Sequence, residues 1–157
     1  MVIKSRSRTA LIRSLELATH VMDFFEQTII GKKENSESCG LLGGWLPESG
    51  MGIATLVIPL ENLSVLSHSF AVDPEQVLQK QISIKKLGLI PLSLYHSHIG
   101  NSICPSYRDL ELPSLTGFPS LIIGKSHLGG LHFFCYDDVG GEITTIRVSL
   151  PKRDGFN

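Results

Sequence analysis

Cysteine is scarce in this chain: Cys39, Cys104 and Cys135 are the three it contains among 157 residues, odd in number and widely spaced. That argues against a disulfide framework, and a reducing cytoplasm is the expected compartment. An excess of either charge is also missing. With a formal net charge of −1, the chain lacks the basic footprint of a nucleic-acid-binding protein. Lys4, Arg6, Arg8 and Arg13 do gather near the start, which is the pattern of a solvated helix end or tail. Long apolar runs are absent too. None reaches the ~18 residues of a membrane span, and Arg13 and Glu16 interrupt the N-terminal stretch before it reaches signal-peptide length. Neither nucleic acid nor membrane is an expected partner.

What remains is an ordinary globular composition, 42% hydrophobic and 18% charged, in a chain long enough to bury one core. A single α/β domain over 1–157 is expected, with residues 1–8 and 151–157 as flexible tails. Leu11, Leu15, Ala18, Met22 and Phe25 recur at helical spacing, so residues 9–30 read as an opening helix stopped by Gly31. Lys32 to Ser38 reads as a polar loop. Cys39 to Trp45 follows as a buried strand whose glycines permit close backbone approach or a bulge. After a turn at Pro47 to Gly52, Ile53 to Leu60 is the next strand, and His68 to Val72 a short one. Asp73 and Pro74 have the chemistry of an N-cap and a first helical residue, placing a helix over Pro74 to Leu87 that Gly88 closes. Leu89 to Tyr95 reads as a strand, and a short helix starts at Pro105-Ser106. Ser120 to Gly124, Leu131 to Tyr136 and Glu142 to Leu150 complete the strands.

Chemistry concentrates in residues 95–110, YHSHIGNSICPSYRDL. His96 and His98 stand two apart at a strand end and so project from one face. Asp109 lies at the start of the following helix, where the loop can fold it back toward the imidazoles. Ser106-x-x-Asp109 has the form of a capping box, which would also give Asp109 a rigid mount. Two imidazoles and one carboxylate leave a fourth tetrahedral position open, as in a catalytic zinc site. Zinc lowers the pKa of a water in such a position to about 7.

The whole pattern, His96-Ser97-His98, seven residues, then Ser106-Tyr107-Arg108-Asp109, resembles the H-x-H-x7-S-x-x-D signature of JAMM metalloproteases, also called the MPN or JAB1/Mov34 family. Upstream, Glu37-Ser38-Cys39-Gly40-Leu41-Leu42-Gly43-Gly44 is similar to that family's E-x-C-G-L-L-x-G segment. The resemblance extends over most of the chain. It implies a single MPN domain built on a mixed, curved β-sheet flanked by helices. It implies one zinc ion held by His96, His98 and Asp109, with Glu37 moving the proton and Ser106 hydrogen-bonding the oxyanion. The implied activity is that of an isopeptidase or peptidase cleaving after the C-terminal glycine of a ubiquitin-like protein. The implied partners are that protein or its conjugates, alongside activating and conjugating enzymes. Processing of a sulfur-carrier protein, hydrolysis of a small amide, or a noncatalytic scaffold are the alternatives. Gly40 to Gly44 and the loop around Gly100-Asn101 are candidate groove elements. Ile99 stands where the family usually has proline, which removes no ligand but bears on the shape of that loop.

Other residues point to no chemistry. His20, His68, His127 and His132 are isolated and read as structural. Cys39 reads as a small apolar residue, and the sequence leaves the role of Cys104 open. Gly124-Lys125-Ser126 lacks the earlier glycine of a phosphate-binding loop, and no nucleophile elbow is present.

Overall fold

The computed structural model describes residues 11–30 and 36–152. The basic residues Lys4, Arg6 and Arg8, the expected helix stop at Gly31, and most of both expected tails lie outside them. Eleven elements follow in order. β1 is Ser14–Leu17 and α1 is Thr19–Phe25, running on into a π-helical turn over Glu26–Ile30. β2 is Cys39–Trp45, β3 Met51–Leu60, α2 Pro74–Lys86 and β4 Ile90–Ser97. α3 is Tyr107–Thr116, followed by β5 Ser120–Lys125, β6 Leu131–Val139 and β7 Glu142–Ser149. Among the described residues no helix is long and apolar enough to cross a membrane.

The opening helix expected over 9–30 is broken in two. Ser14–Leu17 is a strand whose Leu15 and Leu17 are buried while Ser14 and Glu16 are less so, the alternation of a pleated segment. Ala18 stays extended at φ −65, ψ 155, and only then does the helix begin. The apolar positions that suit a helical face suit this strand-then-helix course equally well, and pairing with the rest of the sheet decides between them. β1 runs parallel to both β3 and β7. That double pairing closes the sheet into a seven-stranded barrel in the order β1-β3-β2-β4-β5-β6-β7. The mixed, curved sheet expected from the sequence is mixed as expected, but it closes into a barrel rather than remaining a curved sheet flanked by helices.

β2 is a central strand, antiparallel to β3 on one side and β4 on the other, with register shifts at Leu42/Gly43 and Gly43/Gly44. Its glycines answer to packing. A Cβ at Gly40 would come within 2.3 Å of the Ile58 carbonyl oxygen and 2.6 Å of the Tyr95 ring, and one at Gly44 within 1.9 Å of the Ile53 oxygen. Paired on both sides and buried, β2 offers no groove, which corrects the expectation for Gly40 to Gly44.

Alternate residues of β2 face opposite sides. Leu42 joins a cluster with Val21 and Phe25 of α1 and Tyr95 of β4, where the Phe25 and Tyr95 rings meet edge to face at 4.9 Å. Leu41 joins Val77 and Ile84 of α2 and Leu94 of β4. α2 is set as the sequence indicates: Asp73 Oδ1 accepts from the Glu75 amide at 2.9 Å and Pro74 opens the helix. Because Leu94 belongs to the α2 side, His96, two residues on, emerges on that side at the C-terminal end of β4.

Candidate metal centre

His96 is fully buried on β4. His98 lies just beyond the strand, its amide still donating to the Ile123 carbonyl of β5 at 2.9 Å. Asp109 is brought to them by the capping box of α3. The Asp109 amide donates to Ser106 Oγ at 3.1 Å, and the Ser106 amide donates to Asp109 Oδ2 at 2.9 Å. From below, the buried Tyr136 hydroxyl donates to the Asp109 carbonyl at 2.6 Å, fastening the first turn of α3 to β6.

These supports converge three donor atoms. His96 Nε2 lies 3.3 Å from Asp109 Oδ1, His98 Nε2 3.1 Å from Asp109 Oδ2, and the two Nε2 atoms are 3.2 Å apart. All three ligand atoms fall within 4.8 Å of one another. The arrangement suits a metal. His98 Nδ1 stands 3.1 Å from the Ser102 carbonyl, which fixes its proton on that nitrogen and leaves the Nε2 lone pair facing Asp109. His96 Nδ1 is buried with no hydrogen-bond partner among the described residues. Its ring is held instead by Phe70, stacked on it at 4.5 Å and 27°. Two imidazole nitrogens and a carboxylate aimed at one point are better explained by a shared cation than by one another.

The charges agree. Burial pushes the His96 pKa down, outweighing its contact with Asp109, so the imidazole is neutral as a ligand must be. The Asp109 contact pushes His98 upward, against burial and with help from the Glu37 carboxylate. Burial would raise Asp109, but the contacts with His96 and His98 prevail and hold it well below the usual carboxylate range.

Glu37 is buried just before β2 and reaches the centre through a clamp. The Ser38 amide donates to Ser97 Oγ at 2.8 Å, and the Ser97 amide donates to the Ser38 carbonyl at 2.8 Å. Since Ser97 stands between the two histidines, this reciprocal pair ties the Glu37 segment to them. Glu37, His98, Ser106 and Asp109 all line one cleft of about 440 Å³, whose apolar wall includes Phe70, Ile99 and Leu112.

All five residues singled out from the sequence thus meet at one place. The rest are distributed differently. Cys104 is exposed, its thiol facing the Pro105 carbonyl, and it is not among the converging donors. Ile99 and Ser102, flanking Gly100-Asn101, line the cleft. His68, set aside as structural, lines it too. His127 meets Asn101 at 3.1 Å, away from the three donors. The segment His68 to Val72 is not a strand, correcting that expectation. It is an irregular loop carrying Phe70, and the residue that shapes it, Asn62, gave no signal in the sequence. Phe70 and Tyr136 were likewise missed, because each acts through a contact distant in sequence.

Fold and site together define a JAB-type domain with a His-His-Asp candidate metal centre. Residues 30–136 match the family of prokaryotic homologs of the JAB domain, and the chain belongs to that family. No curated protein matches it. Among solved structures it is similar to a protein from Desulfitobacterium hafniense, at 23% identity and a TM-score of 0.71, covering 88% of this chain and 94% of that one. It is also similar to a protein from Salinibacter ruber, at 15% identity and a TM-score of 0.60, covering 90% and 95%. At such identities these likenesses speak for the fold alone.

Proposed function

We propose that this chain is a zinc-dependent isopeptidase or peptidase that cleaves after the C-terminal glycine of a ubiquitin-like protein, in deconjugation or in precursor maturation. The observation carrying this reading is the convergence of three metal-ligand donors, two of which, from His98 and Asp109, line one cleft with Glu37 and Ser106. A set with ligands alone would serve a structural ion. The added buried carboxylate and hydroxyl supply the proton acceptor and the oxyanion donor that hydrolysis needs.

His96, His98 and Asp109 would hold the ion, which when bound supplies an acidified water and polarises the scissile carbonyl. Glu37 accepts the proton of the attacking water and passes it to the leaving amine nitrogen, which departs neutral. The Ser106 hydroxyl, whose oxygen accepts from the Asp109 amide, retains its own hydrogen to donate to the developing oxyanion. The apolar wall of Phe70, Ile99 and Leu112 excludes water and strengthens these interactions.

An extended tail binds most economically by adding a strand to a sheet edge. β3 pairs with β1 only over Met51–Ala54, so among the described residues its outer side over 56–60 has no strand partner. Leu60 lies opposite Cys39, and Cys39 opposite His96, so a tail on that edge would run toward the centre. The test is incubation of zinc-loaded protein with a ubiquitin-like protein ending in Gly-Gly, fused through a peptide or isopeptide bond to a second protein. Cleavage after the terminal glycine, absent in Glu37→Ala, is the expected result. Zinc-loaded parent that cleaves neither linkage would overturn the reading.

A further inference from the structure

One amide side chain holds the irregular wall of the cleft. Asn62 Nδ2 donates to the Glu37 carbonyl at 2.9 Å and to the Ser69 carbonyl at 3.1 Å. Its Oδ1 accepts from the Ser64 amide at 2.9 Å and from the Ala71 amide at 3.0 Å. Both hydrogens and both lone pairs are therefore used. No other side chain of that size both donates twice and accepts twice. Around it the loop closes on itself, through the Leu63 amide to the Ala71 carbonyl at 2.7 Å and through Ser64 Oγ and Ser69 Oγ at 2.5 Å.

What Asn62 joins is as informative as how. Three of its bonds shape residues 62–71, the stretch that carries Phe70 onto the His96 ring. The fourth goes to the main chain of Glu37, whose next residue is clamped to Ser97 between the two histidines. Asn62 lies outside the converging donors and does not line the cleft. Its four bonds reach two separate segments, residues 62–71 and the main chain of Glu37, which exceeds what closing a surface loop requires.

We propose that Asn62 is a positioning residue that locks the Glu37 segment to the Phe70 wall, fixing the proton acceptor relative to His96. The inference rests on the reading of Glu37 as proton acceptor, but its core, the mechanical coupling of two segments, does not need turnover to be seen. A misplacement of about 1 Å at a reacting group can cost about 10²-fold in rate, so a released Glu37 lowers kcat on that scale while the metal ligands stay in place.

The decisive variant is Asn62→Asp, which keeps the acceptor for Ser64 and Ala71 but cannot donate to Glu37 and Ser69. It is compared with Asn62→Ala, which loses all four bonds. Residue-resolved amide hydrogen exchange of the whole chain, zinc content and cleavage kinetics are the measurements. In Asn62→Asp the Ala71 amide is expected to stay protected while the Ser38 amide, bonded to Ser97, exchanges at least tenfold faster. In Asn62→Ala both amides are expected to exchange faster. Both variants should hold as much zinc as the parent, with kcat down about 10²-fold and KM changed less. A Ser38 amide protected as in the parent in both variants would overturn the coupling, whatever the activity. Faster Ser38 exchange with kcat within twofold of the parent would overturn the positioning role. If the parent itself cleaves no Gly-Gly fusion, the exchange data alone decide the coupling, so the two readings fail separately.

Discussion

The two walls of the cleft are built by different means. One is regular: β4 carries His96 near its end with His98 just beyond it, and α3 begins with a capping box that delivers Asp109. Each residue there is placed by backbone hydrogen bonds that its neighbours in sequence help to make. The other wall, residues 61–72, has no regular structure and is shaped by the single amide of Asn62. Ligands sit on the regular wall, where position must be invariant. The irregular wall contributes Phe70 and His68 and anchors the segment of Glu37. This division suits the proposed hydrolase, with the ligands on fixed elements and the facing surface set by a loop.

The comparison can be broken by variants on either wall. The largest effect is expected for Glu37→Ala. Hydrolysis should be abolished with zinc content unchanged, because the proton acceptor goes while all three ligands stay; cleavage at the parent rate would remove Glu37 from the chemistry. Next comes Ser106→Ala on the regular wall. Loss of one oxyanion donor lowers kcat by about 10²–10³-fold, and loss of the N-cap costs about 1 kcal/mol in stability. Kinetics and denaturant unfolding on the same sample check both, and unfolding without a kinetic effect would reduce Ser106 to a cap.

A smaller effect should follow Phe70→Ala on the irregular wall. The stacked ring is worth about 0.5–1.5 kcal/mol, so zinc affinity should fall severalfold, measurable by chelator competition. An unchanged affinity would show that β4 alone orients His96. The smallest effect concerns the thiols. Burial, with the Glu37 charge adding to it, pushes the Cys39 pKa up to about 12, and burial pushes Cys135 up to about 12 as well. Exposed Cys104 should therefore be the one alkylated by iodoacetamide in the native protein, without loss of zinc. Rapid labelling of Cys39 would mean that the β2 end opens.

What was legible in the sequence follows the same division. α2 and α3 announce themselves by Asp73-Pro74 and Ser106-x-x-Asp109 because capping is local chemistry. β2 and β4 are apolar runs bounded by turn residues. The ligands could be read because their spacing reflects one strand end and one helix start. Ser14–Leu17 was misread because four residues cannot show a period that distinguishes strand from helix, and their partners Met51–Ala54 and Arg147–Ser149 lie far along the chain. Barrel closure was lost with them. His68 to Val72 reads as a strand but pairs with none among the described residues, since Asn62 takes the Ser69 carbonyl and the Ala71 amide instead. Tyr136 and Asn62 were invisible for one reason: each acts on a main-chain carbonyl, at Asp109 and Glu37, and any residue type can carry that.

The most direct test is the zinc content of untagged, freshly purified protein beside Asp109→Ala. About one zinc per parent chain is expected. The variant should hold little and melt at a lower temperature, since a bound ion favours the folded state. A parent that binds no zinc even when it is supplied, or a variant that binds as much as the parent and melts with it, would contradict the metal centre on which the account stands.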